Sequence, residues 1–593
     1  MSSCEMFFSH PGIPLKRHLN DVGNLCWTYA KRSGVKEDVI KCAELVGKCH
    51  DLAKYTTFFQ DHLQGKKVKG ALSSHSRLSA ILASWMVKNR LSDPFLPAVA
   101  FICVDSHHGN LKSFSLLDKC ELNGLIIRKQ IESIKNNLNI SNELDDIGLS
   151  EVYDFIYKFE DSLPDLERLL KKSIRSMKFD WNEERCWYYF YITLLLYSCL
   201  VDADKKEAGK ISEAQFSWKE DLSSETVLSY IKRKFGTKSS SEINKVRAEI
   251  FTSVKEHLEK ILDVQRVPKI MTITAPTGSG KTLLSLYIAL KARERRLDPK
   301  PRVIYCLPYI NIIEQTHHVF DEVFSDFYGK VPISLLLKHH HLFFPESKFL
   351  SPDEIPLDKL LLLTDSWESE VIVTTFEQLF RSIIGSENSL LKKFHNIANS
   401  ILILDEVQTI PLEYWRLVRD ALENLSKTLN VTIIMMTATM PTLFKGYELV
   451  PNSKFFFKRL DRTVLSPQIN EPVSAEQFVD FFFSKWRGKV SALLVLNTVR
   501  ASKIIYRKIA EKLGTRAFRL GSEEEHKTDE CKTVLAYLST AVIPKERERR
   551  IKLLNNLLHE GRPVILVSTQ VVEAGVDLDF DMAIRDIGPL DSI

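Results

Sequence analysis

From Ile270 onward the chain repeats one pattern: "IMTITAP", "RVIYCLPY", "EVIVTTF", "SILILDE", "VTIIMMTAT", "SALLVLNT" and "PVILVST" are short apolar runs separated by stretches of helical length. A strand that is apolar on both faces has to be covered on both faces, and parallel neighbours need long crossovers. These runs therefore predict parallel sheets sandwiched between helices. Up to about Tyr230, helical patterns alternate with short polar breaks and β-branched runs are few, which predicts an all-α half. The expected fold class is multidomain, an all-α domain followed by α/β lobes with parallel sheets. Between Lys205 and Ser241, "DKKEAGKISEAQ" and "KFGTKSSSEIN" have the charge, serine and glycine of a connection between domains.

A chain of 593 residues is long enough for two to four cores. Its 81 basic and 76 acidic residues leave a formal charge of only +5, so any nucleic-acid contact has to come from local patches. The 10 cysteines form no CxxC pair, which argues against a disulfide framework or zinc ribbon and for reduced thiols in the cytoplasm. The start, "MSSCEMFFSHPG", lacks the basic and apolar regions of a secretory signal. The longest uncharged run, Cys186 to Val201, is shorter than the ~20 residues of a membrane span and leads into Asp202 and Asp204. It predicts a buried helix, and no membrane partner is expected.

In "ITAPTGSGKTLL" an apolar run leads into a glycine-rich turn and then a helical pattern. This is the context of a phosphate-binding loop, in which backbone N–H groups and a helix N-terminus surround phosphates. Thr277, Gly278, Ser279, Gly280, Lys281 and Thr282 are the candidate nucleotide-binding residues. Lys281 would neutralise the terminal phosphates and Thr282 would bind Mg²⁺, while Ala275 stands where the commoner pattern begins with glycine. In "SILILDEVQTI", Asp405 and Glu406 end a strand at the sheet edge where α/β proteins bind ligands. Asp405 would hold Mg²⁺ and Glu406 would orient the attacking water.

Together "APTGSGKT", "LPYINIIEQT", "TTFEQL", "DEVQ", "TAT", "LNTV" and "STQVVEAGVDLDFD" occur in the order found in superfamily-two helicases, which this half resembles. The resemblance implies two RecA-like lobes using ATP and Mg²⁺. It implies that Thr437 and Thr439 couple nucleotide state to domain movement, and that Gln570, Glu573, Gly575 and Asp577 face the nucleotide cleft, Gly575 and Asp577 as nucleotide-binding residues. Gln408 departs from the usual Asp and His endings of the carboxylate motif.

In the helical half, "KCHDLAKYTTFFQDHL" sets His50 against Asp51, with Lys54 one turn later, in a stretch that otherwise reads as helix. Neighbours on a helix project in different directions, so both reach a metal only if other helices supply further ligands. His18, His75, His107, His108 and Asp204 are the candidates, with Asp202 an alternative to Asp204. Imidazole with carboxylate suits Mn²⁺, Fe²⁺, Co²⁺, Ni²⁺ or Zn²⁺, and two such ions could clamp a phosphodiester. The order of these residues resembles the HD phosphohydrolase superfamily in its double-metal form. That implies one ion on His18, His50, Asp51 and Asp204, and a second among His75, His107 and His108 with Asp51 bridging. Lys54 would then lie near the phosphate, so that His50, Asp51 and Lys54 join Glu406 as expected catalytic residues.

An HD domain ahead of a superfamily-two helicase is similar to the CRISPR-associated helicase-nucleases of type I systems, as are "INKVRAEIF" and "LSTAVIPKERERRIKLL". The resemblance implies an HD nuclease over 1–235, a first lobe over 236–465 and a second over 466–593. It implies a Cascade-type RNA-guided complex as partner, and single-stranded DNA, the displaced strand of an R-loop, as substrate drawn 3′ to 5′ into the HD site. Two other readings are an HD module whose metals are structural and an HD phosphatase acting on free nucleotides. The chain ends at "IRDIGPLDSI" without the Gln-Arg-x-Gly-Arg-like segment of such helicases, so the expectation is an incomplete second lobe, slow ATP hydrolysis and a natural protein that continues.

Overall fold

A computed structural model describes residues 7–118, 122–137, 139–211, 216–236, 242–264, 268–296, 299–340, 356–460, 464–468, 471–488, 490–520, 533–572 and 578–588. The first half is helical, apart from a small antiparallel hairpin of β1 (Phe8–His10) and β2 (Ile13–Pro14) that leads into the helix Leu15–Arg32. That helix packs against Glu37–Cys49 with Gly23 facing Gly47. A Cβ on Gly47 would lie 2.8 Å from the Gly23 Cα and 2.9 Å from the Val22 carbonyl oxygen, so the helices touch backbone to backbone. The helix Leu96–Ser106 is buried along its whole length. Glu183–Ala208, which contains the run Cys186 to Val201, is the one described helix long and apolar enough to cross a membrane, and 78% of its apolar window is buried inside the protein.

The apolar runs downstream form parallel sheets. Among the described residues, the first sheet consists of β3 (Ile270–Thr274), β4 (Val303–Leu307), β5 (Leu336–His339), β6 (Val371–Thr375), β7 (Ile401–Asp405), β8 (Thr432–Thr437) and β9 (Tyr447–Glu448). Their spatial order is β5-β6-β4-β7-β8-β3-β9, every pair parallel. The second sheet, in the order β11-β12-β13-β10-β14, contains β10 (Ala492–Val495), β11 (Ala517–Arg519), β12 (Thr533–Leu538), β13 (Val564–Ser568) and β14 (Met582–Arg585), also parallel throughout.

The chain divides into two compact units, one of Met1–Pro308 with Ile313–Leu460, the other of Tyr309–Ile312 with Asp461–Ile593. The helical half and the first sheet are therefore one unit, and one buried apolar cluster runs through it from Phe7 to Phe444. The stretch expected as a connection carries the end of the helix Glu183–Ala208 and a further helix, Glu225–Phe235. The start of the latter is tied to the first sheet's covering helices, since Ser224 donates to Glu294 from its backbone N–H at 2.6 Å and its hydroxyl at 2.8 Å.

The Gly23–Gly47 contact leaves no flexible side chain to yield to an added methyl at position 47. Overpacking of this kind costs about 1–3 kcal/mol, so Gly47→Ala is expected to lower the thermal unfolding midpoint, read by differential scanning calorimetry. A midpoint equal to that of the wild type would show that the crossing tolerates a wider separation.

Candidate metal centre and nucleotide site

The stretch around His50 is not one helix, as its pattern suggests. Glu37–Cys49 stops at His50, Asp51 leaves helical geometry (φ −118°, ψ 15°), and a short 3-10 turn, Leu52–Tyr55, follows. Thr56 then caps the helix Thr57–Leu63 by accepting from the Phe59 N–H. An unbroken helix would point His50 and Asp51 about 100° apart. The break lets both face one point.

Four other elements converge there. His18 comes from Leu15–Arg32, His75 precedes Ser76–Arg90, His107 and His108 follow Leu96–Ser106, and Asp204 comes from Glu183–Ala208. Asp51 Oδ2 lies 3.4 Å from His18 Nε2 and 3.3 Å from His50 Nε2, while Asp204 Oδ1 lies 3.5 and 3.6 Å from the same two nitrogens. Asp51 Oδ1 faces the other way, 3.2 Å from His75 Nε2 and 3.6 Å from His107 Nε2, and His108 Nε2 lies 2.5 Å from His75 Nε2. One carboxylate thus divides its oxygens between two sets of nitrogens. Asp202, the alternative to Asp204, lies elsewhere, paired with Lys206.

The remaining ring nitrogens are engaged away from the centre. His50 Nδ1 is 2.7 Å from the Gly47 carbonyl, His107 Nδ1 is 2.6 Å from the Val104 carbonyl, and His18 Nδ1 meets the Glu207 carboxylate. Such partners orient imidazoles for metal ligation. The inward atoms His18 Nε2, His50 Nε2, His107 Nε2 and Asp51 Oδ1 are buried with no hydrogen-bond partner. Buried polar atoms are seldom left so. Ligands about 2.0–2.2 Å from an ion stand roughly 3–3.5 Å apart, so the separations seen here fit atoms sharing a cation, and imidazole with carboxylate fits a divalent transition metal. The site thus suits two ions, with Asp51 between them. Lys54, expected near a phosphate, is buried with its Nζ 2.6 Å from Asp51 Oδ2 and 3.3 Å from the Ser9 carbonyl.

The two sets of imidazoles differ electrostatically. Burial disfavours a charged His50, but Asp51 and Asp204 override it and raise its pKa to about 10. His18 is also raised, against burial, by Asp51 and Glu207. Burial likewise opposes the charge on Asp51, yet His50 and Lys54 hold its carboxyl well below the usual range. On the other side burial prevails: His75 is lowered, and His108 is lowered to about 3 by burial with His107 and His75 adding to it. Glu207 was not foreseen in the sequence. Its signal is its position three residues after Asp204, on the same helix face.

At the nucleotide edge, β7, β8 and β3 are neighbours, with Thr274 opposite Thr437 and Asp405 opposite Met436. The phosphate loop, Asp405–Glu406 and Thr437 consequently emerge together at the carboxyl end of the sheet. Gly278 (φ 74°) and Gly280 (φ 83°) are left-handed, which glycine adopts without steric cost, and the helix Lys281–Glu294 begins directly after, carrying Thr282 in its first turn. Thr277 is exposed on the loop, while Ser279 is buried with an unpartnered hydroxyl. Lys281 Nζ lies 3.2 Å from the Ala275 carbonyl and 4.0 Å from Glu406 Oε1.

Asp405 Oδ2 accepts from the Tyr305 hydroxyl at 2.8 Å, and its buried Oδ1 has no hydrogen-bond partner. Burial and the adjacent Glu406 charge push the Asp405 carboxyl up to about 7. Glu406 (φ 56°) accepts from Gln408 Nε2 at 2.6 Å, Gln408 Oε1 accepts from the Thr437 hydroxyl, and the Thr437 oxygen accepts from the Thr439 N–H at 3.0 Å. Gln408 therefore links the carboxylates to the Thr437–Thr439 segment, and Tyr305 supports Asp405, neither role having been foreseen. In the second unit Gln570 Nε2 donates to Asn497 Oδ1 at 3.2 Å. Glu573, Gly575 and Asp577 lie outside the described residues.

The chain was compared with known proteins. Residues 254–445 match the family model described as DEAD/DEAH box helicase, and residues 488–593 match CRISPR-associated nuclease/helicase Cas3, C-terminal. A CRISPR-associated nuclease/helicase Cas3 of Haloferax volcanii is 26% identical over 92% of this chain and 69% of its own length. A Putative CRISPR-associated nuclease/helicase Cas3 of Methanocaldococcus jannaschii is 21% identical over 92% of this chain and 73% of its own. The crystal structure of T. fusca Cas3 with AMPPNP superposes with a TM-score of 0.60 at 16% identity, covering 99% of this chain and 72% of that one. It shares the fold, a helical N-terminal region followed by α/β lobes.

Two pH dependences follow. His50 has to lose its proton before Nε2 can bind a metal, so Mn²⁺ binding at pH 7.5 is expected to release protons, measured by calorimetry in buffers of different ionisation enthalpy. Below the His50 pKa of about 10, affinity should fall about tenfold for each unit by which the pH is lowered, for each proton displaced; binding without proton release would contradict a His50 held charged by Asp51 and Asp204. Asp405 is raised, so it is protonated on the acid side and able to hold Mg²⁺ only as pH rises through about 7. Mg·ATP affinity is expected to increase between pH 6 and pH 8, measured by equilibrium titration.

Proposed function

We propose that this chain, which belongs to the family of CRISPR-associated nuclease/helicases, is an ATP-driven translocase on single-stranded DNA that cuts the drawn-in strand at the Asp51 centre. The observation that carries the reading is Asp51 itself, a buried carboxylate whose two oxygens face two sets of imidazole nitrogens, several of them without partners. Under this reading 1–235 is the HD nuclease domain, 236–465 the first RecA-like lobe and 466–593 the second.

His18, His50, Asp51 and Asp204 hold one divalent ion, and Asp51, His75, His107 and His108 the other, from among Mn²⁺, Fe²⁺, Co²⁺, Ni²⁺ and Zn²⁺. When bound, the pair supplies a clamp on the phosphodiester and a more acidic attacking water. His18 and His50 are fully buried, whereas His108, although desolvated where its ring meets His75 and His107, still has solvent-exposed surface, so the strand approaches from the His108 side. Lys54 balances the Asp51 charge from within the core. In the ATPase, Lys281 neutralises phosphate, Thr282 and Asp405 hold Mg²⁺, and Glu406 orients the attacking water, while Gln408 relays the state of Glu406 to Thr437. Gly575 and Asp577 are assigned to nucleotide binding by the family resemblance alone. The family relationship supports a Cascade-type RNA-guided complex as the partner that exposes the displaced DNA strand.

Two substitutions separate the centres. Asp51→Ala is expected to abolish metal-dependent cutting of single-stranded DNA and leave ATP binding intact. Lys281→Ala is expected to suppress ATP hydrolysis and long-range duplex degradation while sparing metal-dependent nicking of a free single strand. Cutting by the Asp51 variant at the wild-type rate, in a preparation free of contaminating nuclease, would refute the assignment of the nuclease site.

A further inference from the structure

We infer that Asn388, which belongs to the ATP-binding half, is a positioning residue for the metal ligands His107 and His108. The inference rests on the metal-centre reading above and adds to it a dependence of one ion on the helicase lobe.

The helix Leu96–Ser106 ends just before His107, and the last carbonyls of a helix lack intrahelical partners. Here the donors come from the other half of the unit. Asn388 Nδ2 donates to the Tyr197 hydroxyl at 2.8 Å and to the Gly109 carbonyl at 3.2 Å, and shares the latter hydrogen with the His107 carbonyl at 3.4 Å. The Tyr197 hydroxyl itself donates to the Gly109 carbonyl. On the opposite side Asn388 Oδ1 accepts from Lys205 Nζ at 2.8 Å. A lysine ammonium only donates, so this contact fixes which end of the amide faces the His107 loop. Two backbone bonds close the clamp: the Asn388 N–H donates to Asn110 Oδ1 at 3.1 Å, and the Leu111 N–H donates to the Ser386 carbonyl at 2.9 Å.

Displacement of this loop reaches the metal centre directly. The His107 ring is tied to its own backbone through Nδ1 and the Val104 carbonyl, so its Nε2, 3.6 Å from Asp51 Oδ1, moves with the chain. His108 follows in sequence and meets His75. The first set of ligands is secured differently, by Glu207 on His18 and the Gly47 carbonyl on His50, all within the helical half. Loss of the Asn388 donor therefore acts on the second ion and leaves the first in place.

The test is a Co²⁺ titration of the full chain, followed by visible absorption and calorimetry, in the wild type, Asn388→Ala and Asn388→Asp. The aspartate variant keeps an acceptor for Lys205 but replaces the donor with a charged acceptor facing the His107 and Gly109 carbonyls, while the alanine variant removes the donor without adding charge. Both variants are expected to bind the second ion about 10-fold to 100-fold more weakly, the usual effect of removing a partner that orients a ligand. The first ion should bind as in the wild type, and ATP binding should be unchanged. Wild-type titration curves in either variant would overturn the inference. Equal weakening of both ions would also overturn it, by tracing the effect to a general loosening of the junction. A wild-type protein that takes fewer than two ions would overturn the metal-centre reading itself, and this inference with it.

Discussion

The helical half is organised around one buried charge. An ionised carboxylate in a protein interior costs several kcal/mol unless it is paired, and Asp51 is surrounded by His18, His50, His75, His107 and the Lys54 ammonium. Those partners come from a helix start, a helix end, a 3-10 turn and the termini of two further helices. Each of these elements is fixed in rotation and in depth by the need to deliver a nitrogen to the same carboxylate. The Gly23–Gly47 approach has the same purpose in packing terms, because it brings the His18 helix against the one that ends at His50. Wider separation there would pull two imidazoles away from Asp51.

The helix Glu183–Ala208 carries this arrangement to the ATPase. One face presents Asp204 and Glu207 to His18 in the Asp51 cluster. Elsewhere along it, Tyr191 donates to the Ala421 carbonyl at 2.8 Å, Ser198 donates to the Lys392 carbonyl at 3.1 Å, and Lys206 joins Asp202 at 2.7 Å to Glu368 at 2.5 Å. Asp202, Glu368 and His395 are close enough to hold a cation, but the Lys206 ammonium already lies among them. Burial raises the Asp202 carboxyl, whereas Lys206 and Arg302 together hold Glu368 well below its usual range against burial. Glu368 is the member with two cations beside it. The junction is thus held by a buried ion pair as well as by apolar contact, and removal of one partner from such a pair is strongly destabilising.

Much of this was legible in the sequence because period and order carry it. All of the apolar runs named there became strands, and the strands that add to them lie mostly at sheet edges: Leu336–His339, Tyr447–Glu448, Ala517–Arg519 and Met582–Arg585. An edge strand has one neighbour and is short, so its apolar signal is weak. Thr533–Leu538 is different, an interior strand with as clear a pattern as the rest. The candidate ligands were legible as a set, but their geometry was not. Asp202 and Asp204 are equivalent in composition, and the helix separates them: two residues turn about 200°, so only one can face His18 and His50. The helix break between Cys49 and Leu52 was hidden because "CHDLAKY" contains no proline or glycine. The cause is tertiary, since the turn allows Asp51 to meet four imidazoles.

The two buried aspartates respond to burial in opposite directions, and the contrast explains how the centres differ. Asp51 is compensated by cationic and donor groups that the fold itself provides, so its charge is part of the folded core. Asp405 is buried, with Glu406 as a like charge beside it, Tyr305 as a neutral donor and Lys281 as an opposing cation, and its carboxyl rises. A carboxylate so placed gains most from a divalent ion brought with the nucleotide, because the incoming charge relieves both its burial and its repulsion from Glu406. Glu406 is in turn hydrogen-bonded to Gln408, and Gln408 to Thr437, on the strand next to the phosphate loop. Relief of charge at Asp405 is therefore felt first by Glu406 and then along that hydrogen-bonded chain. Under the proposed nucleotide reading this chain is a route by which occupancy of the site would reach Thr437, whereas the charge of Asp51 is held by His50 and Lys54 within the fold.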